Sequence, residues 1–223
     1  MTEIERKILE INPRDMISRI KKLRPKPKKI FEGFVRVKYF DYPDGRIRRK
    51  KDLLRLREIT PKNATPFTEL VYKTYKGVKH RCKYFDEMEL VLPGVRQFKI
   101  VGEFLMRFGL KQTLYYEKKR TQYEYGKIKF EIDEHPRIPA FLEIEAGSPR
   151  LIDGIIKRLN LGNHEQTAES IAEFMERKYP KISLNGLVFS KRQKVWKERF
   201  DAPLPGIEKS LHCSIVLGDV QRT

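Results

Sequence analysis

Charged and apolar residues alternate along this chain in short stretches, and that alternation limits what it can fold into more than any other feature. Ile4 and Ile8 interleave with Glu3, Glu5 and Lys7; Leu54 and Leu56 with Arg55 and Arg57; Phe130 and Ile132 with Glu131 and Asp133; Leu142 and Ile144 with Glu143 and Glu145. A period of two places the apolar groups on one face of a strand and the charges on the other. Eight segments read this way: residues 3–10, 34–42, 53–59, 68–75, 81–92, 114–125, 127–134 and 141–146. Turn-forming residues separate several of them, at Pro43-Asp44-Gly45, Lys76-Gly77, Pro93-Gly94 and Tyr125-Gly126. Because several strands follow one another with no helix between them, the pattern predicts an antiparallel α+β protein. Eight strands suit an antiparallel β-barrel closed on itself.

Four segments carry the helical period instead. Asn12-Pro13 reads as a cap and first-turn proline before Met16, Ile17, Ile20 and Leu23, and Pro25 ends that helix. Residues 96–108 place Phe98, Val101, Leu105 and Phe108 on one side before Gly109. A third helix follows Ser148-Pro149 with Ile152, Ile155, Ile156 and Leu159. The fourth is expected from Asn163, with Gln166 completing a capping box, through Ile171, Phe174 and Met175.

The formal charge of the 223 residues is +18, so an anionic partner is expected: phosphate esters, polyphosphate, nucleic acid or an acidic membrane. Residues 19–29 hold seven bases and no acid, and their second half reads as an exposed loop. After Phe189 the chain is basic through Lys191, Arg192, Lys194, Lys197 and Arg199, with Trp196 as a packing anchor, which sets a basic extension over 190–223 apart from a domain over 1–189. No apolar run reaches the length of a membrane span, and the acidic opening is unlike a signal peptide, so a cytoplasmic protein without a membrane partner is expected. Cys82 and Cys213 form no disulfide framework or zinc pattern, and His80, His135, His164 and His212 lack metal-ligand spacing. Walker-type loops, Gly-x-Ser-x-Gly elbows and Gly-x-Gly-x-x-Gly loops are absent from the sequence.

Any one Glu-x-Glu pair reads as the wet face of a half-buried sheet. The accumulation of such pairs on one parity of seven segments opens a second reading, in which the strands curl and the charges face a common interior. Enclosed carboxylates then require cations, and several converging on one place suit a hard divalent ion. Converging Lys and Arg beside them suit a bound polyanion. Both together are what phosphoryl or nucleotidyl transfer requires.

Glu3-Ile4-Glu5-Arg6-Lys7 resembles the Glu-x-Glu-x-Lys signature of the CYTH proteins, the triphosphate tunnel metalloenzymes. The likeness continues in order through Tyr39-Phe40-Asp41, Leu54-Arg55-Leu56-Arg57-Glu58, Lys73, Glu87-Met88-Glu89, Glu117-Lys118-Lys119-Arg120, Glu131-Ile132-Asp133 and Phe141-Leu142-Glu143-Ile144-Glu145, and residues 167–174 are similar to the family's closing helix. The resemblance covers roughly residues 1–189. It implies an eight-stranded antiparallel β-tunnel with helices packed outside. It implies that Lys7, Arg55, Arg57, Lys73, Lys118 and Arg120 bind a triphosphate, and that Glu3, Glu5, Asp133, Glu143 and Glu145 hold one or two Mg²⁺ or Mn²⁺ ions. Glu87 and Glu89 fit the family's central acidic pair, as metal ligands or in orienting water, and Glu5, Lys73 and Glu145 are the expected catalytic residues.

The activity implied is metal-dependent hydrolysis of an inorganic, nucleoside or thiamine triphosphate. A class IV adenylyl cyclase, making cyclic AMP and pyrophosphate from ATP, is the alternative. The chain departs from that group's Gln-x-Asp at Phe34-Val35-Arg36-Val37-Lys38. An RNA 5′-triphosphatase, or a non-catalytic RNA- or polyphosphate-binding module using the basic runs at 19–29, 46–51 and the tail, is a third reading. Oligomeric state is not legible from the sequence.

Overall fold

The alternating segments do form strands, and the strands pair in a ring. In the computed structural model residues 2–189 are described; Trp196, His212, Cys213 and the other residues of the expected extension lie outside them. The strands are β1 (Thr2–Ile11), β2 (Lys28–Asp41), β3 (Leu53–Pro61), β4 (Phe67–Lys79), β5 (Cys82–Pro93), β6 (Lys111–Tyr125), β7 (Ile128–Glu134), β8 (Ala140–Ala146) and the two-residue β9 (Gln166–Thr167). Every neighbour pairs antiparallel, in the order β5-β4-β3-β2-β6-β7-β8-β1, and β5 pairs back onto β1 through Thr2↔Asp86 to Glu5↔Lys83. Strand β9 takes up the same edge of β1 further along, at Lys7 and Ile8.

Five helices pack against this α+β ring. Helices α1 (Pro13–Lys22) and α4 (Pro149–Arg158) bury Met16, Ile20, Ile152 and Ile155 against Ile4, Ile8, Phe130, Ile132, Leu142 and Ile144, the apolar parity of β1, β7 and β8. The four-residue α2 (Arg46–Arg49) and α3 (Arg96–Arg107) cover Phe40 and Leu56 with Ile47 and Phe98. Helix α5 (Ile171–Lys178) packs Phe174 and Met175 with Val35, Val37, Tyr116 and Phe141, residues of the opposite parity, and so sits over one end of the lumen. Phe174 meets the Phe141 ring edge-on at 5.3 Å. No helix of the described residues is long and apolar enough to cross a membrane.

Three expectations change. The helix expected from Asn163 begins only at Ile171. Its cap is Ser170, whose Oγ accepts from Glu173 N at 3.3 Å while Glu173 Oε2 accepts from Ser170 N at 2.6 Å. Gln166 joins β9 instead, because β5 leaves the edge of β1 after Glu5 and backbone groups there need a partner. Strand β2 begins at Lys28 rather than Phe34, since β6 runs alongside it as far as Glu124. The short α2 was hidden in a run of bases; Asp41 holds it by accepting from Ile47 N and Arg48 N, both at 3.0 Å.

The seam that closes the ring is only four residue pairs long, and Arg6 stands where it ends. Its neighbours Glu5 and Lys7 face inward, while the Arg6 side chain faces outward and is buried. The guanidinium donates to the carbonyls of His80 (2.7 Å) and Arg81 (3.2 Å), to Asp153 Oδ1 (2.7 Å) and to Gln166 Oε1 (3.2 Å). His80 and Arg81 form the β4–β5 turn with φ of 51° and 58°, a left-handed backbone that non-glycine residues adopt at a cost. Arg6 therefore ties that turn, α4 and β9 to the middle of β1. Replacing it by methionine keeps the stem but strips every donor. The expected loss in urea unfolding is about 2–4 kcal/mol, discounted for the half-exposed Asp153, with Arg6→Lys recovering part of it. An unchanged midpoint would refute this role.

Candidate metal and polyanion site

All thirteen residues expected to form the site line the lumen, in two cavities that share Glu5, Arg55, Lys73, Arg120 and Glu143 as walls. Strand β1 supplies Glu3, Glu5 and Lys7, β3 supplies Arg55 and Arg57, β4 Lys73, β5 Glu87 and Glu89, β6 Lys118 and Arg120, β7 Asp133, and β8 Glu143 and Glu145. The period-two pattern is the cause: each residue shares the inward parity of its strand. Toward the solvent end the cavity measures about 170 Å³, and toward α5 it narrows to about 50 Å³, with Ser170 and Ile171 across it. Glu89 and Lys129 mark the solvent end, their side chains 41% and 40% exposed.

Register arranges the charges. Lys7 lies opposite Glu143, Arg57 opposite Glu69, Lys73 opposite Glu87, Arg120 opposite Asp133 and Lys129 opposite Glu145. Lys7 Nζ donates to Glu5 and Glu143 at 2.9 Å each. The Arg120 guanidinium grips Asp133 through two bonds of 2.7 Å and also pairs with Glu131, and Lys118 reaches Asp133 at 2.7 Å. Lys73 pairs with Glu3 and, at 3.3 Å, with Glu87; Arg57 pairs with Glu69.

Two registers break the pattern: Glu5 faces Glu145 across β1 and β8, and Glu131 faces Glu143 across β7 and β8. Like charges directly opposite repel. Around these two positions lie the two groups among the described residues whose carboxylate oxygens fall within 4.8 Å of one another, Glu3/Glu5/Glu145 and Glu131/Asp133/Glu143. Their electrostatics differ. In the second group burial raises the Asp133 and Glu143 carboxyls, but Arg120 and Lys118 outweigh it at Asp133, and Lys7, a hydrogen bond with Glu5 and Arg120 do so at Glu143; both stay well below the ordinary range. In the first group burial and Glu143 push Glu5 up to about 7 against the pull of Lys7 and Lys73, and burial with Glu131 and Glu3 raises Glu145 well above its ordinary value. Only Glu3 goes down, to about 2, where Lys73 and a hydrogen bond with Glu145 overcome burial. Burial and mutual repulsion thus favour the protonated forms of Glu5 and Glu145, a cost that a cation would relieve, and the three oxygens of this group fit a hard divalent ion. Glu87 and Glu89 belong to neither group: Glu87 is engaged by Lys73 and Arg55, and Glu89 by Glu69 and Arg57.

The cationic side of the lumen fits an anion by its own unmet donors. Arg55 Nε and Arg57 Nε are buried without a hydrogen-bond partner, which is costly unless an incoming oxygen completes them. Burial and the adjacent Arg120 also draw Lys118 down to about 8, despite Asp133. Nine carboxylates and eight cations line the two cavities, so a polyanion enters at acceptable cost only with added positive charge.

The structure adds residues that the sequence reading left out of the site. Glu131 and Lys129 lie on the inward parity of β7, and Glu69 on that of Lys73, so alternation alone would have found them. Lys83, Tyr39 and Tyr116 line the inner cavity. His135 packs between Tyr116 (5.6 Å) and Phe141 (5.3 Å), and burial brings it down to about 3, leaving it neutral.

The first carboxylate group yields a direct expectation. Wild-type protein should melt higher with saturating Mg²⁺ or Mn²⁺, by about 2.7 kcal/mol of stabilisation at a hundredfold excess over Kd. Glu145→Gln, close in shape to the protonated side chain, should fold normally yet lose most of that gain. An unaltered metal-dependent shift would remove Glu145 from the ion's ligands.

The CYTH domain family model matches residues 1–158. The PH1012 protein from Pyrococcus horikoshii OT3 is 26% identical, with a TM-score of 0.59 over 73% of this chain and 94% of its own. PH1819 from the same organism is 21% identical, with a TM-score of 0.64 over 79% of this chain and 99% of its own. HpAC1 from Hippeastrum, an adenylyl cyclase candidate said to reveal a dominant triphosphatase activity, is 14% identical; its TM-score is 0.56 over 82% of this chain and 97% of its own. No curated protein matches the chain.

Proposed function

This chain belongs to the CYTH domain family, and from that premise we propose that it hydrolyses inorganic tripolyphosphate with the help of Mg²⁺ or Mn²⁺. One observation carries the choice of substrate. Of the fourteen residues around the solvent-end cavity, thirteen carry ionisable side chains and the other is Gln122. Five of these side chains are cationic and eight are carboxyls, so a phosphate chain accompanied by divalent cations against the acidic wall can satisfy them along its whole length. An adenine or thiazole ring would find no aromatic or apolar surface there; the aromatic groups Tyr39, Phe85, Tyr116 and Phe141 line only the narrower cavity of about 50 Å³ beside α5.

In this reading Arg55, Arg57, Lys73 and Arg120 hold the phosphate oxygens. The unmet Nε donors of Arg55 and Arg57 gain their partners from the substrate, and Lys7 and Lys118 receive the phosphate nearest α5. Glu3, Glu5 and Glu145 would hold the divalent ion, which supplies neutralisation of the phosphate oxygens and polarisation of the terminal phosphorus. Water adds to the terminal phosphorus as its bond to the bridging oxygen breaks, giving orthophosphate and pyrophosphate. The wall of fixed charges keeps the chain in line during that displacement without reorganising.

Incubating purified protein with Mg²⁺ or Mn²⁺ and, separately, tripolyphosphate, ATP, thiamine triphosphate and triphosphate-ended RNA tests the proposal. Orthophosphate release from tripolyphosphate should exceed that from the other three by about tenfold or more in kcat/KM, and Arg57→Ala should lower it by about 10²-fold. Cyclic AMP with pyrophosphate from ATP, or preferential turnover of a nucleotide or thiamine substrate, would refute it.

A further inference from the structure

Outside the lumen, six exposed lysines gather around its solvent end: Lys21 and Lys22 at the end of α1, Lys26 and Lys28 entering β2, Lys127 at the β6–β7 turn and Lys157 in the last turn of α4. Hydrogen bonds stitch these pieces into one surface. Tyr125 Oη donates to Arg24 O at 2.6 Å and accepts from Arg158 at 2.8 Å, and Arg19 donates to the carbonyls of Leu159 (3.0 Å) and Asn160 (3.1 Å). Nearby acids are committed elsewhere: Asp15 to Arg19, Glu32 to Lys29 and Lys62, Asp153 to Arg6. Glu124 stands opposite Lys28 in register and offsets one charge. None of the six ammonium groups has an ion-pair partner among the described residues. The β6–β7 turn continues the two strands that place Gln122 and Lys129 at the solvent end of the lumen, so this collar adjoins the opening.

We propose that the collar binds a long inorganic polyphosphate chain whose end enters the lumen, so that the chain's body and its reacting end are held by two different sets of cations. This deepens the tripolyphosphate reading and rests on it for the reacting end alone. The chemistry at the collar selects against single-stranded nucleic acid, which is gripped without sequence preference through open aromatic faces as well as charge. The collar presents no such face: Arg158 lies 5.3 Å over the Tyr125 ring, and Tyr123 is buried. A chain that is phosphate throughout needs only the spaced ammonium groups.

The test uses the full chain and its Lys21→Glu/Lys22→Glu/Lys26→Glu variant, with Lys127→Glu/Lys157→Glu as an independent second. Fluorescently labelled long-chain polyphosphate should bind wild type and lose about tenfold or more in affinity in either variant, with a flatter salt dependence, while tripolyphosphate turnover stays within about twofold. Unchanged polyphosphate binding in both variants would overturn the proposal. So would an oligonucleotide of equal charge that binds more tightly than polyphosphate and is lost in the same variants, since the surface would then serve nucleic acid. Binding is read without turnover, so collar-dependent binding by a protein that leaves tripolyphosphate intact would refute the hydrolytic reading and support the collar.

Discussion

Carboxylates that face each other across a strand pair inside a closed space set the terms for the rest of this molecule. Glu5 opposite Glu145 and Glu131 opposite Glu143 are repulsive registers in a lumen where Glu5, Glu131 and Glu143 are buried. One is relieved by the protein, through Arg120, Lys118 and Lys7. At the other, burial and repulsion shift Glu5 and Glu145 toward their protonated forms, where oxygens of Glu3, Glu5 and Glu145 lie within 4.8 Å of one another. Stability and binding are therefore coupled. The arrangement that is least comfortable without a ligand is the one that a divalent cation and a polyanion would satisfy together.

The scaffold makes that arrangement possible by separating two kinds of packing. Apolar residues of one parity go outward under α1, α3 and α4, so the ring gains its hydrophobic burial from its outer wall. The lumen is then free to be polar. At the α5 end apolar packing crosses to the inner parity, through Phe174, Met175, Phe141 and Tyr116, and there the cavity narrows. A polar interior of this kind tolerates few errors of register, because a slip of one residue would turn every lumen charge into the outer core. The short β1–β5 seam is the weakest closure, and Arg6 guards it from outside while its two neighbours face the site.

Much of this was legible in the sequence, for a physical reason: strand parity is a local property, and Arg55-Leu56-Arg57 or Glu143-Ile144-Glu145 declares both faces at once. All eight ring strands follow from it, and it places the thirteen expected residues on one parity, but that this parity faces a lumen is what the resemblance to the CYTH signatures implies. What stayed hidden depends on contacts distant in sequence. Asn163-x-x-Gln166 has the form of a helix cap, whereas the open edge of β1 more than a hundred and fifty residues earlier claims Gln166 for β9. The separation of the acids into two unequal groups arises from which strands neighbour each other, since β8 lies between β1 and β7 and so brings Glu145 to Glu5 and Glu143 to Glu131. Arg6, read as part of a signature, reveals its own task only once the β4–β5 turn and α4 come to meet it.

The central claim is most directly tested by crystals grown with Mn²⁺ and a non-hydrolysable tripolyphosphate analogue, measured at the manganese absorption edge. The account predicts an anomalous peak bounded by carboxylate oxygens of Glu3, Glu5 and Glu145, with analogue oxygens on the Nε atoms of Arg55 and Arg57. A peak on the outer wall with an empty lumen, or an analogue lying outside the ring altogether, would contradict it.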